Sequence, residues 1–133
     1  MPEATDTPIK QSTLHATLTI RACRAEDLPG LEWYGLFQHH RQIFAEAFAR
    51  QMKGENLMLV ADLGGFPVGQ AWIDLTRHKA ESVGYIWAVR VFPFLQNLHI
   101  GATLMECAEE VLARRGYGCA EVGVERTNPD ALR

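Results

Sequence analysis

The stretch from Val83 to Arg115 limits the possible folds more than any other part of the chain. It opens as a strand, Val83 to Val91, in which Tyr85, Trp87, Val89 and Val91 alternate onto one face and Ile86 and Ala88 onto the other. A strand apolar on both faces has no side to give to water, so it lies inside a sheet covered above and below. Pro93 ends it, because proline has no N–H for the ladder. After a short loop the apolar period becomes helical from Ile100 to Arg115. Ile100, Leu104, Cys107, Ala108, Val111 and Leu112 share a face opposite Glu106, Glu109, Glu110 and Arg114. Gly116 stops this helix, and Ala120, Val122 and Val124 alternate as a further strand. Strand, loop, helix and strand in that order bring the two strands together in parallel.

The rest of the chain supplies neighbours for that unit. Leu18 to Arg21 reads as a first strand, and Asp27-Leu28-Pro29 as a helix start with an acidic group near the orphan amides. A longer helix is expected from Leu36 to Met52, carrying Phe37, Phe44 and Phe48 and closed by Gly54. Leu57 to Ala61 is a buried strand, Asp62-Leu63-Gly64-Gly65 a hairpin turn, and Val68 to Leu75 the return strand before a charged link from Thr76 to Ser82. Asn128-Pro129-Asp130 opens one more helix. The order is β-α-α-β-β-β-α-β-(α), an α/β (α+β) domain over residues 17–133 behind a flexible tail, residues 1–16.

Composition narrows the function classes. Thirteen basic residues against sixteen acidic ones give a net charge of -3, without the basic face that phosphate binding to nucleic acid requires. No apolar stretch is long enough to span a membrane, and the polar, proline-containing start does not resemble a secretory signal. Cys23, Cys107 and Cys119 match neither a disulfide framework nor a zinc pattern, so no metal is expected and a reducing cytoplasmic setting is. His39 and His40 point about 100° apart on a helix and cannot chelate one ion together. They are therefore not read as a metal pair, and Trp33, Tyr34 and Phe37 are read as core packing.

Chemistry concentrates from Val89 to Ala102, where a central strand ends, a loop turns and a helix begins. The first turn of a helix carries unsatisfied amides and partial positive charge, which suits an anion. The segment has no Gly-x-x-x-x-Gly-Lys-Ser/Thr, and no Gly-x-Gly-x-x-Gly follows the first strand, so nucleotide sites of those two kinds are not indicated. Val89, Val91, Pro93, Gln96 and Gly101 instead resemble, at matching spacing, the acyl-CoA motif of the GNAT superfamily of N-acetyltransferases. The likeness extends to Ile20–Pro29, to Asp62–Gly69 and to Asn128-Pro129-x-Ala131, and so covers the chain from about Leu18 to Arg133.

That resemblance implies an acyl-CoA N-acyltransferase-like mixed central sheet flanked by helices. It also implies transfer of an acetyl group from acetyl-CoA to a primary amine of a small molecule or peptide by direct attack. In its terms the amides of Gln96, Asn97, Leu98, His99, Ile100, Gly101 and Ala102 hold the pyrophosphate. Val89 and Val91 pair with the pantetheine arm, an amide near Val91 polarises the thioester carbonyl, and Asn128 approaches the arm. Deprotonation of the amine points to Glu125 at a strand's carboxyl end or to Tyr85. Homodimers are common among such proteins. Two departures stand out. His99 fills a position where glycine is usual, with its ring expected to turn to solvent, and Asn97, which tolerates the left-handed conformation, fills another. The family's C-terminal strands and its tyrosine acid are also not found before Arg133, so the C-terminal part is expected to be truncated. A CoA-binding module without turnover and a half-domain completed by a partner chain are the alternative expectations.

Overall fold

The computed structural model describes residues 6–123. One sheet runs β1 (Leu18–Ala22), β2 (Asn56–Leu63), β3 (Phe66–His78), β4 (Val83–Val91) and β5 (Cys119–Val122), neighbours in space in that order. The first four pair antiparallel, whereas β5 runs parallel to β4. The β4–β5 connection is helix α2 (Ile100–Arg114), and helix α1 (Arg41–Met52) lies between β1 and β2. This is the mixed, helix-flanked sheet that the resemblance implies, with β4 held between two strands.

Each helix covers one face. On one side, Leu104, Ala108 and Leu112 of α2 pack on Ala71, Ile73 and Ile86. On the other, Phe44 and Ala47 of α1 pack on Met58, Val60 and Trp72. Burial of such a side chain stabilises by about 1.5–3 kcal/mol, so these layers are the main source of cohesion. Helix α2 sits very close to β4: a Cβ added at Gly84 would collide with the Leu112 side chain. Among the described residues no helix is long and apolar enough to cross a membrane.

Four expectations need correction. The helix start at Asp27 resolves into short 3-10 turns at Ala25–Asp27 and Gly30–Glu32, and the helix expected from Leu36 begins only at Arg41, after another turn at Gln38–His40. Trp33, Tyr34 and Gly35 all have positive φ, which breaks any helix there. The link after Leu75 begins as strand, since β3 continues to His78 opposite Val83 past a shift in register, and then turns as a 3-10 segment at Lys79–Glu81. Finally, Trp87 does not share a face with Val89 and Val91: it packs on the α1 side and they pack on the α2 side.

An ion network fastens the first turn to the sheet. Arg21 grips both Asp27 oxygens at 2.6 and 2.8 Å and donates from Nε to Asp62 Oδ2 at 3.0 Å. Asp27, only 5% exposed, also accepts the Arg24 N–H at 2.7 Å. The Arg21 fork, helped by that N–H, holds the Asp27 carboxyl below the usual carboxylate range. A depressed folded-state pKa adds stability that is complete above the ordinary value of about 3.9 and is lost as pH falls through the depressed one. Asp27→Asn is therefore expected to lower stability by about 3 kcal/mol near neutral pH, and the deficit should shrink in acid. Denaturant unfolding across pH measures this; a deficit independent of pH would assign the effect to packing instead of charge.

Candidate functional site

The site begins where β4 parts from β5. Parallel pairing ends at Ile86 opposite Val122, and the Gly123 N–H donates to Ile86 O at 2.8 Å. Beyond that point the outer edge of β4 has no strand beside it among the described residues. A bulge decides which backbone groups this edge presents. Trp72 lies opposite Trp87 but Gln70 opposite Arg90, so three steps on β4 match two on β3. Backbone groups of successive residues in a strand face opposite edges. Ile86 faces β5, so Trp87 faces β3; an unbroken ladder would then turn Val89 and Val91 toward β3 as well.

The extra residue reverses this. Phe92 donates its N–H to Val68 O at 2.7 Å, so Phe92 and Arg90 face β3 while Val91 and Val89 face the gap. The reversal happens at Ala88, which has a φ of 55°. Its carbonyl accepts a hydrogen bond from Gln70 Nε2 at 3.0 Å. Left-handed geometry in a bulge of this kind is usually supplied by glycine.

The gap leads to the N-terminus of α2. The first bond there runs from the Thr103 N–H to His99 O at 3.0 Å, supported by Thr103 Oγ1 at 2.8 Å. The N–H groups of Ile100, Gly101 and Ala102 have no partner within the helix, and no side chain at the N-cap bonds to them. His99 takes the N-cap in the left-handed region (φ 62°, ψ 17°) with its ring exposed, and Asn97 is left-handed too (φ 68°). Both residue types are enriched there. Val89, Arg90, Val91, Leu95, Gln96, Asn97, His99, Ile100, Gly101 and Ala102 line one cavity of about 340 Å³. Gln96 reaches back with Nε2 to Val91 O at 3.5 Å, a long contact that links loop and strand.

Nearly all the expected loop residues thus meet around one hollow. Leu98 does not line it and is 61% exposed, while Arg90 and Leu95 do line it, although nothing in their residue types marks them. Tyr85 lies outside the lining, with the Arg77 guanidinium 4.1 Å over its ring. Its hydroxyl occupies the space a Cβ on Gly123 would need, at the root of the gap. Glu125 and Asn128 lie outside the described residues.

The other candidates are placed away from the hollow. Trp33 is buried and donates from Nε1 to Pro67 O at 2.8 Å; Tyr34 is exposed and stacks on Phe66. On the α1 side the Arg90 guanidinium lies 4.5 Å over Phe37, and Nη1 is 3.1 Å from His40 Nδ1. Arginine can only donate, so that contact makes Nδ1 the acceptor. All three cysteines are free, and burial pushes the Cys23 thiol up to about 12. No group of three metal-ligating side chains occurs among the described residues.

A mixed sheet split beside a helix N-terminus is the architecture of the acyl-CoA N-acyltransferases. The chain belongs to the acetyltransferase (GNAT) family, whose family model matches residues 22–133. Its fold is similar to that of the PaiA N-acetyltransferase from Thermoplasma acidophilum, solved in complex with coenzyme A. That TM-score is 0.70, with 17% identity over 87% of this chain and 84% of that one. A transcriptional regulator from Bacillus halodurans gives a TM-score of 0.70 and 24% identity over 88% of each chain. The aminoglycoside N-acetyltransferase AAC(6')-Iy, in complex with CoA, gives 0.68 and 13% identity over 92% of this chain and 86% of that one. At such identities the likeness is one of fold. No curated protein sequence matches the chain.

Left-handed backbone costs a residue with a Cβ about 1–2 kcal/mol, and glycine pays back part of any gain through its freer unfolded state. His99→Gly is accordingly expected to stabilise the protein by up to about 1 kcal/mol, seen as a higher denaturant midpoint. A lower midpoint would mean that the ring makes contacts worth more than the strain.

Proposed function

We propose that the protein binds acetyl-CoA in the gap between β4 and β5 and transfers the acetyl group to a primary amine by direct attack. The observation that carries this reading is the outward-facing backbone of Val89 and Val91, which runs on to the open N–H groups of Ile100, Gly101 and Ala102. The donor set suits the ligand in two ways. A line of strand-edge amides and carbonyls matches the amide-containing pantetheine arm, which can add as a strand would. A helix N-terminus without a capping side chain suits a pyrophosphate. The hollow, about 340 Å³, is within the ordinary range for ligand sites. The exposure of His99 supports a glycine-to-histidine departure that leaves room for the phosphates.

Acetyl-CoA supplies the activated acetyl group. This chain's contribution is positioning and charge stabilisation. Amides of Gln96 to Ala102 fix the phosphates, Val89 and Val91 align the arm, and an outward N–H near Val91 stabilises the carbonyl oxygen as it gains charge. One such donor is typically worth about 2.7–4 kcal/mol. The attacking amine must first lose a proton, because an ammonium has no free electron pair. Tyr85 and Glu125 are the proposed groups for that transfer. The position of the Tyr85 hydroxyl beside Gly123, where the gap opens, supports its place in the pair.

Calorimetric titration of acetyl-CoA, with dephosphorylated pantetheine as the control, tests the reading. Acetyl-CoA is expected to bind at least about tenfold more tightly than pantetheine, and His99→Gly should shift its affinity by less than about threefold. Thiol release with polyamines, aminoglycosides, amino acids and lysine peptides then identifies the acceptor class. Absence of acetyl-CoA binding would remove the enzyme reading; phosphate-dependent binding without thiol release from any of these amines would favour a binding module.

A further inference from the structure

We infer that Gln70 is a positioning residue whose side chain holds the β4 bulge in the form that turns the Val89 and Val91 backbone into the gap; this rests on the acetyl-CoA reading above. Gln70 is 1% exposed and sits on β3 two residues before Trp72, a member of the core on the α1 side. Burying a primary amide is unfavourable unless it is hydrogen-bonded. Its Nε2 donates to Ala88 O at 3.0 Å, across the strand pair and at the residue with positive φ.

Two costs meet at Ala88. Its left-handed backbone is disfavoured by the Cβ, and the bulge takes its carbonyl out of the regular ladder. A glycine would relieve the first but not the second, and the Gln70 amide answers the second directly. If the bulge relaxed to an unbroken ladder, the phase of β4 would shift by one residue. Val89 and Val91 would then bond to β3, and the groups facing the gap would be those of Ala88 and Arg90. Gln70 need not touch the ligand to control this. The α2 N-terminus is held by the packing of Ile100 and Leu104 on Gly69 and of Leu112 on Gly84, so the phosphate-binding half of the site depends on Gln70 far less than the strand edge does.

This separation supplies the test. Gln70→Met keeps length and removes the donor. The variant is titrated calorimetrically with acetyl-CoA and with adenosine 3′-phosphate 5′-diphosphate, the part of CoA that lacks the pantetheine arm. Acetyl-CoA affinity is expected to fall about tenfold or more, as the loss of two backbone bonds implies, while affinity for the nucleotide fragment stays within about twofold. Adding Ala88→Gly, which lets the bulge form with less strain, should recover much of the acetyl-CoA affinity; if Gln70→Met does not fold, Gln70→Leu, which also removes the donor, carries the same comparison. Unchanged acetyl-CoA affinity in Gln70→Met would overturn the inference, and so would a loss shared equally by the fragment or one that Ala88→Gly leaves untouched. If the parent protein binds neither ligand, the acetyl-CoA reading itself fails, a result distinct from all of these.

Discussion

One surplus residue in β4 organises the structure around it. A strand inside a sheet satisfies its backbone on both edges, and a sheet built that way has no main-chain groups left over for a ligand. Here the surplus at Ala88 breaks the phase of β4 just past the last pair with β5. The first half of the strand serves the fold on both sides; the second half serves β3 on one side and opens on the other. The cavity lies along that second half, and the short 3-10 turn at Pro93–Leu95 leads straight from it to α2. Strand edge and helix N-terminus are thus parts of one continuous stretch of chain.

The two faces of the sheet take different loads. On the α2 side the packing is tight and aliphatic, with Leu112 against Gly84 and with Leu104 and Ile100 against Gly69. That closeness fixes the helix, and hence its N-terminal amides, relative to β4. On the α1 side the contacts are aromatic and polar: Trp72 meets Trp87 edge to face at 4.9 Å, and Arg90 bridges toward Phe37 and His40. The chain between β1 and α1 is a series of short 3-10 turns closed by local backbone bonds. Arg21, Asp27 and Asp62 tie its first turn to the sheet, and Trp33 ties its middle to Pro67.

Much of this was legible in the residues. The apolar strand from Val83 to Val91, the periodic helix after it and the alternating strand beyond determine the parallel pair, and the turn at Asp62–Gly65 determines the hairpin. The loop that lines the cavity follows from the same segment. What escaped has identifiable causes. The bulge is hidden because alanine stands where glycine would mark it, so plain alternation puts Trp87 on the face of Val89 and Val91. Gln70 is equally silent, since a polar residue in an alternating strand reads as solvent-facing and only the fold shows it buried. The short turns that replace a helix after Asp27 are equally hidden, because Trp33 and Tyr34 are side chains that rarely accept positive φ.

Along β4 and the first turn of α2 the polar groups that face the hollow belong to the main chain, beside an apolar lining, and this has a consequence for how the sequence can drift. A site built from carbonyls and amides carries no obligatory side-chain chemistry, so the selective constraint falls on backbone conformation: a left-handed residue at the N-cap, an extra residue in the strand, a small residue where the helix meets the sheet. Each can be met by more than one amino acid, as His99 and Ala88 illustrate. Substitutions can therefore accumulate across most of the chain while the hollow keeps its shape, and neighbours that share under a quarter of their residues with this chain can still share its architecture.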